Sequence, residues 1–122
     1  MPAAVRYIVD NVDRSVGFYR ELGFELAQQM GPAFARMTSG ELTIWLSGPT
    51  SSAARPLPDG RQPSPGGWNR IVLEVDDIQA AVARLRTAGA SFRSEVISGP
   101  GGMQIVADDP DGNPIELFEA RR

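Results

Sequence analysis

Ala107–Glu119, ADDPDGNPIELFE, reads as a tight turn that feeds a short strand. In Asp109-Pro110-Asp111-Gly112 the proline fixes φ early in the turn, and the glycine tolerates a positive φ. Beyond it Ile115 and Leu117 alternate with Glu116 and Phe118, so the two pairs face opposite sides of a sheet. The aliphatic pair suits a face covered by a helix. A carboxylate, Glu116, is then left in mid-strand on the other face, beside an aromatic ring. Burying it bare costs too much, so it is solvated, paired or metal-bound. What stands opposite Glu116 is the functional question.

The chain around this stretch has 122 residues, enough for one compact domain with a real core. Its net charge of −3 and isoelectric point near 4.9 argue against a nucleic-acid partner. With no run of about 18 apolar residues, no membrane span is expected. Met1-Pro2-Ala3-Ala4 lacks the basic-then-apolar pattern of a signal peptide, so the expected location is the cytoplasm. Cysteine is absent, which removes disulfides, thiolate metal sites and cysteine nucleophiles together. Histidine is absent too. That eliminates Ser-His-Asp triads, His-Glu-x-x-His zinc sites and the facial triad of two histidines and a carboxylate. Carboxylates, arginines, Tyr7, Tyr19, hydroxyls and backbone groups are left to do any chemistry.

From its beginning, the chain reads as a β-α-β-β-β unit. Val5–Val9 is a strand, Asn11 caps a helix lined by Val12, Val16, Phe18, Tyr19 and Leu22, and Gly23 ends that helix. Strands are expected at Phe24–Gln28, Phe34–Met37 and Leu42–Ser47, with a Ser39-Gly40 turn before the last. Gly48–Gly67 is rich in Pro, Gly and Ser and carries Arg55, Asp59 and Arg61; it reads as a linker or as a loop over a site. Then the pattern starts again: Arg70–Val75 is a strand, Asp77 a cap, and Ile78, Val82, Leu85 and Ala88 line a helix ended by Gly89. A shift of 66 positions lays Val9 on Val75, Asp10 on Asp76, Val16 on Val82, Arg20 on Arg86 and Gly23 on Gly89. Such a duplication implies two similar modules, 1–47 and 68–122, joined by the loop 48–67 within a single domain 1–122.

The repeat, the VDNVDRSVGFYRELGFEL and VLEVDDIQAAVARLRTAGASF segments and the DDPDGNPIELF ending together resemble the vicinal oxygen chelate superfamily. That superfamily holds glyoxalase I, extradiol dioxygenases, and fosfomycin and bleomycin resistance proteins. The resemblance implies an α+β fold of two tandem βαβββ modules with pseudo-twofold symmetry. Their curled mixed sheets would form a concave cleft, commonly in a homodimer. In metal-dependent members the ligands stand ahead of each module's helix cap, on the first strand, and on each last strand. Those places fall here on Ala4, on Arg70, near Thr43 to Trp45, and on Glu116. Only the last is a ligand, and an arginine at 70 opposes a divalent ion. The resemblance therefore implies that Arg70 has replaced the metal's charge and pairs bidentately with Glu116, with no metal or cofactor. The Asp108-Asp109-x-Asp111-Gly112 cluster is better explained as a turn than as a calcium loop, and Gly99-Pro100-Gly101-Gly102 lacks the Lys-Ser/Thr of a phosphate loop.

Period-two reading adds candidates. With Ala4 and Arg70 facing inward, Arg6, Ile8, Val72 and Glu74 follow, while Val5, Tyr7, Val9, Ile71, Leu73 and Val75 face the helices. Leu42, Ile44 and Leu46 suit the helix side, which leaves Thr43 and Trp45 for the cavity. Trp45 and Phe118, with Phe34, Met103 and Trp68, would form an aromatic wall suited to planar or cationic ligands.

Two functional classes follow. One is a small-molecule binding protein similar to the bleomycin-resistance branch, sequestering an aromatic or cationic drug or metabolite through Arg6, Thr43, Trp45, Arg70, Glu116 and Phe118. The other is a metal-free lyase or isomerase with Glu74 or Glu116 as general base and Arg6 or Arg70 holding an anion. A carboxylate paired with a guanidinium is the poorer base, which favours Glu74 in that role. A metal-dependent glyoxalase- or dioxygenase-type enzyme is disfavoured by the missing ligands.

Overall fold

The computed structural model describes residues 1–121, which fall into two compact units, Met1–Pro65 and a second that begins at Gly66. Among the described residues there are two helices and nine strands in two mixed sheets. No described helix is long and apolar enough to cross a membrane. The segment Gly48–Pro65 clusters with the first unit and bonds largely to itself: Gln62 Nε2 donates to Ala54 O at 2.6 Å and Leu57 N to Arg61 O at 2.8 Å.

The first unit runs β1 (Val5–Ile8), α1 (Val12–Glu21), β2 (Glu25–Met30), β3 (Phe34–Ser39) and β4 (Leu42–Ser47), with sheet order β1-β4-β3-β2. β1 is parallel to β4, and the other pairs are antiparallel. Asn11, extended at φ −142°, starts α1 by accepting from Arg14 N at 3.0 Å. The helix ends in a Schellman motif: Gly23 N bonds Arg20 O at 2.9 Å and Phe24 N bonds Tyr19 O at 3.0 Å. Gly23 takes φ 90° there, which a side chain would resist. Phe24 is thereby committed to the helix end, its ring edge-on to Tyr19 at 5.8 Å, and β2 begins one residue later than expected. Tyr19, fully buried, also stacks on Tyr7 of β1 at 6.1 Å and so pins α1 to the sheet together with Met37, Ile44 and Leu46.

The second unit runs β5 (Ile71–Glu74), α2 (Ile78–Thr87), β6 (Ser91–Phe92), β7 (Ile97–Ser98), β8 (Gly102–Asp108) and β9 (Pro114–Ala120). Its order, β5-β9-β8-β6, repeats that of the first unit, again with one parallel pair, β5 with β9. Asp77 caps α2 on Ala80 N, and Gly89 closes it with the same two bonds as Gly23, to Arg86 O and from Ala90 to Leu85 O. A second capping group comes from the sheet: Glu119 Oε1 accepts from Ile78 N at 2.8 Å.

The second unit adds one detail to the expected pattern. The second unit has four strands after its first helix-flanking strand, because its second strand is broken into β6 and β7, both paired with β8. The break follows Arg93, whose N still bonds Val106 O at 2.9 Å; Ser94 then turns its hydroxyl onto Glu95 O and leaves the ladder.

The turn before β9 is built around a buried carboxylate. Asp109, 4% exposed, accepts at Oδ1 from Asp111 N and Asn113 N and at Oδ2 from Asn113 Nδ2, each at 2.9 Å. Gly112, at φ 85°, closes the turn onto Asp109 O. Asp109 is thus spent on two backbone amides and the Asn113 side chain. Beyond the turn Ile115 and Leu117 are fully enclosed against the α2 side with Ile78 and Leu85.

Candidate functional site

In each unit the helix covers one face of the sheet, and the candidate residues gather on the other. Alternation decides which. In β1 and β4, Tyr7, Ile44 and Leu46 are buried while Arg6 is exposed, and in β5 Val72 and Glu74 are the exposed pair.

The second unit holds Glu116. It stands mid-strand, 8% exposed, flanked across the ladder by Val72 on β5 and Val106 on β8. Arg70, just ahead of β5, brings two nitrogens to one of its oxygens: Nε lies 3.0 Å and Nη2 2.9 Å from Oε1. Arg70 Nη1 donates to Trp68 O at 3.2 Å, which fixes the guanidinium's roll. The pair exists, but both nitrogens meet the same oxygen rather than one oxygen each. Among the described residues no side chain donates to Oε2. Glu74 faces the same way, opposite Phe118, exposed and without a hydrogen-bond partner among the described residues.

The first unit holds a row that runs across its sheet. Arg6 on β1 is paired with Trp45 on β4, and Trp45 with Arg36 on β3. Arg6 Nη1 donates to Ser47 Oγ at 3.0 Å and carries its Cζ 4.9 Å from the indole centroid. Phe34 meets Trp45 edge-on at 5.9 Å. Thr43 lies on the same face, opposite Thr38. The indole Nε1 is enclosed and finds no acceptor.

The two registers align: Val5 pairs with Ile44 as Ile71 pairs with Ile115. Trp45 is therefore the counterpart of Glu116, and Ala4 of Arg70. This tests the metal that the resemblance implies. Alanine offers no donor atom, an indole N–H cannot ligate, and a guanidinium already covers Glu116. Among the described residues no three His, Cys, Asp or Glu side chains converge. This donor set does not fit a divalent ion.

Two members of the expected aromatic wall stand elsewhere. Met103 pairs with Glu119, in line with buried Ile105 and Leu117, so it belongs to the helix side. Trp68, 70% exposed, lies against the Arg93 guanidinium at 4.4 Å. Arg93 in turn bonds Asp108 Oδ1 at 2.8 Å, Gly67 O at 2.7 Å and Gly112 O at 3.0 Å, tying the segment before β5 to the turn before β9. Sequence reasoning missed Arg36, Ser47, Arg93 and Glu119. For Arg36 a signal existed: Ala35 and Met37 alternate with it, and both are fully buried.

The family model described as Glyoxalase/Bleomycin resistance protein/Dioxygenase superfamily matches residues 2–117. The solved structure of a member of that superfamily from Sphaerobacter thermophilus is 27% identical with a TM-score of 0.72, covering 98% of each chain. TnmS3, an antibiotic binding protein from Streptomyces sp. CB03234, is 25% identical with a TM-score of 0.67, covering 99% of this chain and 98% of its own. A lactoylglutathione lyase of Salmonella typhimurium is 39% identical over 56 residues, which is 44% of this chain and 42% of that enzyme.

Proposed function

The chain belongs to the glyoxalase/bleomycin resistance protein/dioxygenase superfamily, and on that premise we propose that it is a metal-independent binding protein that sequesters a small aromatic drug or metabolite. The observation that carries this reading is the Arg70 guanidinium held on Glu116 by contacts of 3.0 and 2.9 Å. It places a fixed positive charge where the resemblance puts a metal, without the open coordination that Lewis-acid chemistry needs. The aromatic and guanidinium groups of the first unit, and the likeness to an antibiotic binding protein over nearly the whole chain, favour ligand capture. Arg6, Thr43 and Trp45 in the first unit, and Arg70, Glu116 and Phe118 in the second, are the residues proposed for ligand binding. A homodimer in the cytoplasm goes with the same proposal.

A second reading rests on Glu74. Exposed, opposite an aromatic ring and without a hydrogen-bond partner among the described residues, it is positioned to take a proton from a bound molecule, as a metal-free lyase or isomerase requires. The likeness to a lactoylglutathione lyase over part of the chain favours an enzyme of some kind.

One experiment separates these. The purified protein is screened against aromatic compounds by thermal shift with chelator present, and each stabilising compound is recovered and weighed by mass spectrometry. Unchanged compound supports binding. Product that disappears in Glu74→Gln establishes the enzyme, and stabilisation abolished by chelator defeats metal independence.

A further inference from the structure

We infer that the sheet face of the first unit recognises a planar aromatic carboxylate, seated on Trp45 between Arg6 and Arg36. The inference rests on the binding reading above and gives the ligand's charge a sign.

Arg6, Trp45 and Arg36 are consecutive partners across three neighbouring strands. Strand spacing therefore sets the two arginine backbones about 10 Å apart, one on each side of the indole. Both arginines are exposed, and among the described residues neither has a carboxylate within ion-pair distance. In the second unit Arg70 lies on Glu116 and Arg93 on Asp108, each within 3.0 Å. Two cations thus flank one ring without a carboxylate beside either, in a chain whose net charge is −3.

The sign follows from what already occupies the indole. An aromatic wall alone suits a cation, but here the protein's own Arg6 sits over the ring at 4.9 Å. A ligand cation would meet two guanidinium groups, whereas a carboxylate would gain charge-assisted hydrogen bonds from them. Planarity follows from the same groups. Every cationic side chain in this protein is arginine, whose flat guanidinium stacks on rings, and Phe34 stands edge-on beside Trp45.

The test uses three probes that share a naphthyl ring and carry a negative, neutral or positive group: naphthoate, naphthylmethanol and naphthylmethylammonium. Affinities are read by calorimetry, and the site by the indole N–H resonance of Trp45, assigned against a Trp68→Phe variant. Naphthoate is expected to shift the Trp45 resonance and to bind about tenfold more tightly than the ammonium probe, the worth of one charge-assisted hydrogen bond. Arg36→Gln and Arg6→Gln should each weaken naphthoate severalfold and leave naphthylmethanol unchanged, and Arg36→Glu should abolish the preference. Arg36 is exposed, so unfolding is not expected; an unaltered urea midpoint verifies that.

The inference is overturned if the ammonium probe binds as tightly as naphthoate, if the Trp68 resonance moves instead, or if no probe moves Trp45. Tight binding of the uncharged or cationic probe, recovered intact, would sink the inference while leaving the binding reading in place. Conversion of naphthoate to product, with the arginine dependence retained, would sink the binding reading and leave the inference in place.

Discussion

Trp45 holds in the first sheet the place that Glu116 holds in the second: each stands one step beyond a buried isoleucine, Ile44 or Ile115, in the parallel ladder of its unit. One repeat fills the position with an aromatic ring under Arg6, the other with a carboxylate under Arg70. The two faces have the same backbone frame and opposite chemistry. Arginine is the common element.

Because the Arg70 and Glu116 side chains are 25% and 11% exposed, removing one partner strands the other. Arg70→Ala is expected to cost about 1–3 kcal/mol in urea unfolding, chiefly from the enclosed carboxylate it leaves. Adding Glu116→Gln should recover part of that loss, since a neutral amide has less to lose. A double variant that is less stable than Arg70→Ala would show that the pair is not coupled in this way.

The donor set bears directly on metal content. Freshly purified protein should carry far less than one equivalent of zinc, nickel, manganese or iron by elemental analysis, and chelator should leave its melting temperature unmoved. A stoichiometric ion lost in Glu116→Ala would be the contrary result.

Asp109 organises the turn ahead of β9 through three bonds of 2.9 Å. Its replacement by alanine leaves buried donors unmatched and should lower stability by about 2–4 kcal/mol. Gly112→Ala asks only that a side chain accept a φ of 85°, so its cost should be smaller, about 1 kcal/mol. Denaturant midpoints for the two variants give the ranking.

Glu119 ties the end of β9 to the start of α2 through Ile78 N. Glu119→Ala should cost about 1 kcal/mol, the usual worth of a lost helix cap. Amide exchange should quicken at the first turn of α2 and stay unchanged in α1, whose cap is Asn11.

Much of the fold was legible because local chemistry and tertiary structure agree. Asn11 and Asp77 start their helices, Gly23 and Gly89 end them, and Ile44, Leu46, Ile115 and Leu117 are buried as the period-two reading expects, although Ser47 and Glu116, on the opposite faces, are buried as well. The pairing of Arg70 with Glu116 was expected from the family resemblance, as a bidentate pair with one nitrogen on each oxygen; in the structure both nitrogens meet Oε1. What escaped reading depends on register. Nothing in the residues of β4 says which one lies level with Glu116; the partner strand settles that. The bulge between Leu26 and Gln28 puts Gln28 level with Arg36 and Leu26 level with buried Met37, which no fixed period of two anticipates. The break between β6 and β7 likewise depends on a side-chain bond, Ser94 to Glu95 O, that competes with the ladder.

The strand at the middle of each sheet, β4 or β9, is the last of its unit along the chain and separates two strands that came earlier. A nascent unit lacking it therefore has a gap rather than a frayed rim, with unpaired backbone on both banks. Such a gap invites insertion of the same strand from another molecule. A chain cut ahead of Leu42 or Pro114 can accordingly have its gap filled only by β4 or β9 of an intact molecule, which ties the fragment to a full-length copy.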